Sequence, residues 1–221
     1  MDQYLPFGIT ILTILSNAFG STHIKEISDY YNLSVSPAPY TFSIWGLIYS
    51  ALLYTTFKYH ADINTITTPF GSIINLFIIS SILNALWIQT WTNKNIIVSS
   101  LLLLLLASVL IIITYYLAKS SVNNTLIITF GIYAAWAFIA SLLNLGMVIK
   151  DRKLLDETTF KYGFLAIITI IAFILKKFIR NTELKLVILG VFIWAVTGII
   201  LNGKDNKIFL IHILSILLSL I

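Results

Sequence analysis

Cysteine is absent from the 221 residues, and charged residues make up only 10 % of them. The absence of cysteine excludes disulfides, thiolate metal ligands and a cysteine nucleophile. The scarcity of charge excludes more, because 58 % of the residues are hydrophobic and the mean hydropathy is +0.94. Too little polar surface remains to cover a protein that faces water. The sequence therefore excludes a soluble globular domain and predicts an integral membrane protein with several spans.

Aspartate, glutamate and arginine are missing from the middle of every long apolar segment. Ionisable groups inside a membrane mark ion paths, proton relays and acid–base pairs. Their absence argues against a proton-coupled pump and a hydrolase, and we assign no catalytic residues and no metal ligands. His212, early in the last apolar segment, is interpreted as a hydrogen-bonded or interfacial histidine. The net charge of +5 does not indicate nucleic-acid binding, because lysine and arginine cluster at segment ends, where lipid headgroups lie.

Long apolar segments recur along the whole chain. A helix needs about 20 apolar residues to cross a hydrocarbon core about 30 Å thick. A membrane β-barrel would show strands of about ten alternating residues, whereas Leu101 to Leu106 is unbroken leucine. We therefore predict an all-α, polytopic transmembrane helical bundle of about eight spans. The predicted spans are 4–21, 40–59, 70–92, 96–117, 125–149, 160–176, 184–201 and 207–221.

Aromatic and amide side chains recur at one spacing in the second, third and fifth spans. Positions i, i+3 and i+7 lie within about 60° of one another on a helix, so each set forms one stripe. Tryptophan beside asparagine suits a pocket for a flat, largely apolar ligand with a few polar atoms. An interfacial aromatic belt with ordinary helix packing explains the spacing equally well. The sets are Phe42, Trp45 and Tyr49; Asn84, Trp87 and Trp91; and Tyr133, Trp136 and Ala140, followed by Asn144.

These residues resemble the TspO/MBR family of tryptophan-rich sensory proteins, also called translocator or peripheral-type benzodiazepine-receptor proteins. The resemblance covers roughly residues 1–150, and residues 151–221 look like the additional helices of longer members. It rests on three motifs in order: Pro37-Ala38-Pro39 leading into Phe42 to Tyr49, Asn84-Ala85-Leu86-Trp87, and Tyr133-Ala134-Ala135-Trp136 leading through Ala140 to Asn144.

The resemblance implies a five-helix core with a pocket that binds porphyrins or haem-related tetrapyrroles, in a sensor or translocator and not in an enzyme. Porphyrin or haem would then be a ligand, with no obligatory cofactor. The implied partners are the lipid bilayer and a hydrophobic small molecule, and the resemblance also allows a homodimer. The implied ligand-binding residues are Pro37, Pro39, Phe42, Trp45, Tyr49, Asn84, Trp87, Trp91, Tyr133, Trp136, Ala140 and Asn144.

The chain departs from the family pattern at two places. Ile132 stands where members often have a proline, and the stretch from Asn144 to Lys150 lacks the tyrosine of a cholesterol-recognition pattern, so we do not expect sterol binding. Two other functions stay open: a secondary transporter of a small metabolite, and a membrane protein that degrades porphyrin in light with the same tryptophans. Trp194 lies outside the motifs, with Gly190 and Gly198 four residues to either side, and is expected to serve helix packing.

Overall fold

The computed structural model describes residues 3–20, 30–202 and 207–219, and these form a helical bundle. Each of the eight predicted spans corresponds to one helix, so the predicted all-α membrane bundle is confirmed. A short helix and a two-stranded hairpin, β1 (Thr67–Thr68) and β2 (Gly71–Ser72), connect the second and third spans. The helices are α1 (Leu5–Gly20), α2 (Ile44–Lys58), α3 (His60–Thr65), α4 (Ile73–Thr92), α5 (Ile96–Lys119), α6 (Asn124–Asp151), α7 (Glu157–Phe178), α8 (Thr182–Asn202) and α9 (Lys207–Ser219).

Helix length separates the predicted spans into two groups. In the described part of the chain, the five helices α4 to α8 are long and apolar enough to cross a membrane. Helices α1, α2 and α9 contain 16, 15 and 13 residues, fewer than the about 20 of an upright span. The protein is therefore an integral membrane protein, while the number of eight spans stays a prediction.

The helix boundaries follow from local chemistry. The side chains of Ser72, Asn123 and Asp156 each accept a hydrogen bond from a backbone N–H in the first turn of α4, α6 and α7, which satisfies donors that the helix itself leaves free. After α4 and α6, Lys94 and Lys153 adopt left-handed backbone conformations with φ of 58° and 52°, as is common where a helix ends. The resulting connections are short, and α4, α5 and α6 pack side by side in sequence order.

Helix α6 occupies the centre of the bundle. It packs against α2, α5, α7 and α8, and 72 % of its span is buried, compared with 28 % for α7 at the periphery. It runs unbroken through Ile132, where the family often has proline. Because α8 packs directly on α6, helices that follow residue 150 share the central core. The division of the chain into domains at residue 150 stays a prediction.

Candidate ligand cavity and its lid

The three aromatic stripes meet around Trp45 of α2. Its ring stacks on those of Tyr49 and Trp87, with centroids 5.6 and 5.8 Å away. Trp91 continues the stack, because its ring centroid lies 6.1 Å from that of Trp87. Trp136 of α6 meets Trp45 edge-on at 6.5 Å. Offset stacking and edge-to-face contact are the arrangements that aromatic rings prefer, so α2, α4 and α6 are joined by one continuous aromatic cluster.

Buried amides tie further helices to this cluster. Asn84 is fully buried; its Oδ1 accepts a hydrogen bond from Asn17 of α1, and its Nδ2 donates to the Tyr133 hydroxyl at 2.7 Å. Asn144 donates to Ser99 Oγ of α5 at 2.7 Å. Both predicted asparagines therefore have the partners that buried amides require. Asn17 was not among the predicted site residues, although an asparagine within a long hydrophobic segment was an available signal.

A cavity of about 50 Å³ lies beside the aromatic cluster. Seven of the twelve predicted ligand residues line it, and the other five do not. Asn84, Tyr133 and Trp136 are at most 1 % exposed and belong to the solid core. The predicted residues on the wall are Pro37, Phe42, Trp45, Trp87, Trp91, Ala140 and Asn144, and those away from it are Pro39, Tyr49, Asn84, Tyr133 and Trp136.

The cavity wall also contains residues that are not among the predicted ligand-binding residues. Leu143 and Met147 continue the stripe of Ala140 on α6 at the same helical spacing, so extending that stripe would have found them. Leu103 lies within the leucine run of α5, where nothing distinguishes it from its neighbours. Leu33 and Ser36 come from the loop before α2. An apolar wall with few polar groups is typical of a small-molecule site.

Three tryptophans of the aromatic cluster have unsatisfied hydrogen-bond donors. The buried indole N–H groups of Trp87, Trp91 and Trp136 find no acceptor among the described residues. An unsatisfied buried donor costs about 1–3 kcal/mol. Trp87 and Trp91 line the cavity, whereas Trp136 does not. Two of the three tryptophans with an unsatisfied N–H therefore contribute to the cavity wall.

Residues 30–43, here called the lid segment, close the cavity at one end of the bundle. Leu33, Pro37 and Phe42 form its inner surface, and the Phe42 ring packs edge-on against that of Trp136 at 6.0 Å. The segment ends in a short 3₁₀ helix, Pro39–Ser43. Pro39 pre-sets the backbone for this turn and lies exposed on the outer side of the segment.

Helix α8 holds the lid segment through three hydrogen bonds. Trp194 Nε1 donates to the carbonyl oxygen of Thr41 at 2.9 Å, and the Tyr40 ring packs edge-on against the Trp194 ring at 5.7 Å. The Gly198 carbonyl accepts from the backbone N–H of Ala38 at 2.9 Å, and Asn202 Nδ2 donates to the Ser36 carbonyl at 2.8 Å. Trp194 thus makes a hydrogen bond to the lid that the sequence did not predict, and the expectation that it serves helix packing stays a prediction.

Helices α6 and α7 hold the other part of the lid segment. Lys150 Nζ donates to the Asn32 carbonyl at 2.9 Å and lies 3.3 Å from Glu157 Oε2. The other oxygen of Glu157 accepts from the backbone N–H of Ser34. The bonds to Asn32 and Ser34 join the loop before α2 to residues at or beyond position 150. The later helices α7 and α8 thus have a structural role that the sequence did not reveal, which is to fix the lid.

No group of three histidine, aspartate or glutamate side chains that could hold a metal ion occurs among the described residues. His212 falls within α9, but its side chain lies outside the described residues. The interpretation of that histidine therefore stays a prediction. Any ligand held at the aromatic cavity would be bound by ring contacts and neutral hydrogen-bonding groups.

Comparison with known proteins supplies the family. A search of curated proteins and a search of solved structures each find no match for this chain. The family model described as TSPO-like protein matches residues 5–221, which includes the helices after residue 150. The resemblance drawn from the three motifs is thereby confirmed. With nearly its whole length matched, this integral membrane chain belongs to the TSPO-like protein family.

Proposed function

We propose that the protein binds flat, largely apolar molecules of the tetrapyrrole class in the aromatic cavity, and that it acts as a membrane sensor or translocator for them. The observation that carries the proposal is the pair Trp87 and Trp91, which line the cavity and hold indole N–H groups with no acceptor among the described residues. Their rings offer stacking surface, and their N–H groups can donate to a propionate or carbonyl oxygen. Family membership supports a membrane sensor or translocator and leaves the ligand open.

The size of the cavity sets a condition on binding. Sites for drug-sized ligands usually enclose about 300–1,000 Å³, whereas this cavity encloses about 50 Å³. A tetrapyrrole therefore requires the lid segment to move outward together with Pro37 and Phe42. Loop rearrangement of this kind is common when ligands bind. The hydrogen bonds from α8 to the lid then oppose binding, and breaking one of them speeds ligand access.

The proposal is tested by titrating the purified protein with protoporphyrin in the dark and following tryptophan quenching. The informative substitution is Trp91→Phe, which keeps an aromatic ring and removes the N–H donor. We expect its affinity to fall about tenfold, the value of one hydrogen bond to a charged acceptor. The matched control is Trp136→Phe, which removes an equally buried and unpartnered N–H that does not line the cavity. Its affinity should stay within about twofold of wild type.

Two outcomes would contradict the proposal. Equal loss of affinity in both variants would mean that the rings act through packing and not through a site at Trp91. No binding of protoporphyrin by the wild-type protein would remove the tetrapyrrole class. Repeating the titration under light separates binding from degradation, because only degradation consumes the porphyrin absorbance with time. Light-dependent consumption abolished by Trp45→Phe would favour the enzyme over the sensor.

A further inference from the structure

A second cavity, of about 260 Å³, lies between the end of α6 and the beginning of α7. Its floor is apolar and is formed by Leu33, Ile149 and Phe160. The absence of a side chain at Gly146 leaves room for the Phe160 ring, because a Cβ on residue 146 would lie 2.4 Å from Phe160 Cζ. The rim, in contrast, carries charged side chains from the α6–α7 connection. An apolar floor beneath a charged rim matches a ligand that is itself amphiphilic.

The two carboxylates on the rim already have partners. Glu157 accepts from the Ser34 N–H and lies 3.3 Å from Lys150 Nζ. Asp156 caps α7 by accepting from the Thr159 N–H at 2.8 Å and from the Thr159 hydroxyl. The bonds from Thr159 hold the pKa of Asp156 below its ordinary value, so this carboxyl is ionised at neutral pH. Both carboxylates therefore already accept hydrogen bonds from the protein.

The hydrogen-bond donors of the rim that remain without a partner belong to two lysines. Among the described residues, no hydrogen bond or ion pair engages the ammonium group of Lys153. Lys150 uses its ammonium for Asn32 and Glu157, and a lysine has three N–H donors. Two lysines stand against two carboxylates on this rim, so its formal charges balance. The feature that suits an anion with several acceptor oxygens is the set of free lysine donors. Phosphate is such an anion.

The position of the cavity identifies the ligand source. It lies where α6 leaves the membrane-spanning part of the bundle, next to a loop in which Leu154 and Leu155 are 63 % and 51 % exposed. Exposed leucines beside lysines are typical of a segment at the boundary between lipid headgroups and acyl chains. We propose that this cavity binds one phospholipid molecule, with its phosphate on Lys153 and Lys150 and an acyl chain on the floor formed by Leu33, Ile149 and Phe160.

The experiment is native mass spectrometry of the full chain in detergent with added phosphatidylglycerol. We expect one lipid to be retained at lipid concentrations that leave other detergent-exposed surfaces unoccupied. Lys153→Gln should weaken this retention about tenfold, because a charge-assisted hydrogen bond is lost. Arg152→Gln is the matched control: it removes the same charge one residue away, from a side chain that pairs with Asp151 at 3.6 Å and does not line the cavity. It should change retention less than about threefold.

A second pair of variants tests the floor, and a further arm tests the source of the phosphate. Ile149→Phe should fill the cavity and abolish retention, whereas Leu154→Phe, on the exposed side of the same connection, should not. Inorganic phosphate at millimolar concentration should not displace the lipid, because it lacks the chain. Equal loss in Lys153→Gln and Arg152→Gln would mean general attraction to headgroups. That result, displacement by inorganic phosphate, or no retained lipid would each overturn the proposal.

Discussion

The contact between Gly198 of α8 and Thr41 of the lid segment gives the sharpest quantitative test of this structure. A Cβ added at Gly198 would lie 2.2 Å from Thr41 Oγ1 and 2.9 Å from its Cγ2. Thr41 cannot move away freely, because its carbonyl accepts a hydrogen bond from Trp194. The backbone N–H of nearby Ala38 also donates to the Gly198 carbonyl. Gly198→Ala should therefore lower the free energy of unfolding by about 1–3 kcal/mol through overpacking. The gain in helix propensity, about 1 kcal/mol, offsets part of this loss.

Gly190→Ala on the same helix is the control that separates the cost of overpacking from the gain in helix propensity. A Cβ at Gly190 would meet nothing within 4 Å, so this variant should gain the same propensity without a clash. Thermal or denaturant unfolding in detergent should therefore place Gly198→Ala about 1–3 kcal/mol below Gly190→Ala. The difference between the two variants is more reliable than either shift from wild type, because the propensity gain cancels.

Thr41→Ala combined with Gly198→Ala completes the test. It removes the two atoms that the new Cβ would meet first, and the next nearest atom, Thr41 Cβ, lies at 3.0 Å. The Thr41 hydroxyl is buried without a hydrogen-bond partner among the described residues, so its removal alone should cost little. The double variant should recover more than half of the Gly198→Ala penalty, measured as a coupling free energy. Equal stability of Gly198→Ala and Gly190→Ala would refute the close approach of α8 to the lid.

Three further predictions rest on other parts of the bundle. Asn84→Ala should lower the free energy of unfolding by about 1–3 kcal/mol for each of the two buried groups, on Asn17 and Tyr133, that lose their hydrogen-bond partner. An unchanged melting temperature would contradict the buried amide network. Because Thr159 lowers the pKa of Asp156 below its ordinary 3.8, that carboxylate stabilises the fold above about pH 4 and loses this effect as the pH falls through its folded pKa; Asp156→Ala should therefore melt below wild type at neutral pH, with the difference shrinking in acid. The sequons at Asn32 and Asn123 lie at opposite ends of α6, so at most one should carry a glycan in microsomes, and two glycans would contradict the topology.

Composition and periodicity determined the class of protein and the content of its spans. Scarce charge leaves lipid as the only suitable solvent, and in lipid each backbone polar group must be satisfied within a helix. The helical period within each motif also fixes which side of its own helix Trp45, Trp87 or Trp136 occupies. The meeting of the three stripes in one cluster was accessible on these grounds, since buried asparagines and tryptophans seek partners in an apolar bundle.

Only the tertiary structure decided which members of a stripe face a cavity. Trp87 lines the cavity and Trp136 is wholly enclosed, although both occupy the i+3 position of their motifs. Periodicity gives the direction of a side chain around its own helix and carries no information on the distance to the next helix. That distance depends on the side chains of several helices packed together, because protein interiors are filled to a nearly constant density.

The sequence also could not indicate the role of the later helices. Trp194 bonds Thr41 across 153 residues, and Gly198 approaches the same residue although Gly190, on the same helix, faces open space. Both contacts depend on where α8 docks on α6. In a membrane, apolar helix faces gain little by choosing one apolar neighbour over another, so the choice depends on close packing and on individual hydrogen bonds. The sequence therefore determined what crosses the membrane, and the tertiary packing determined what closes and holds the cavity.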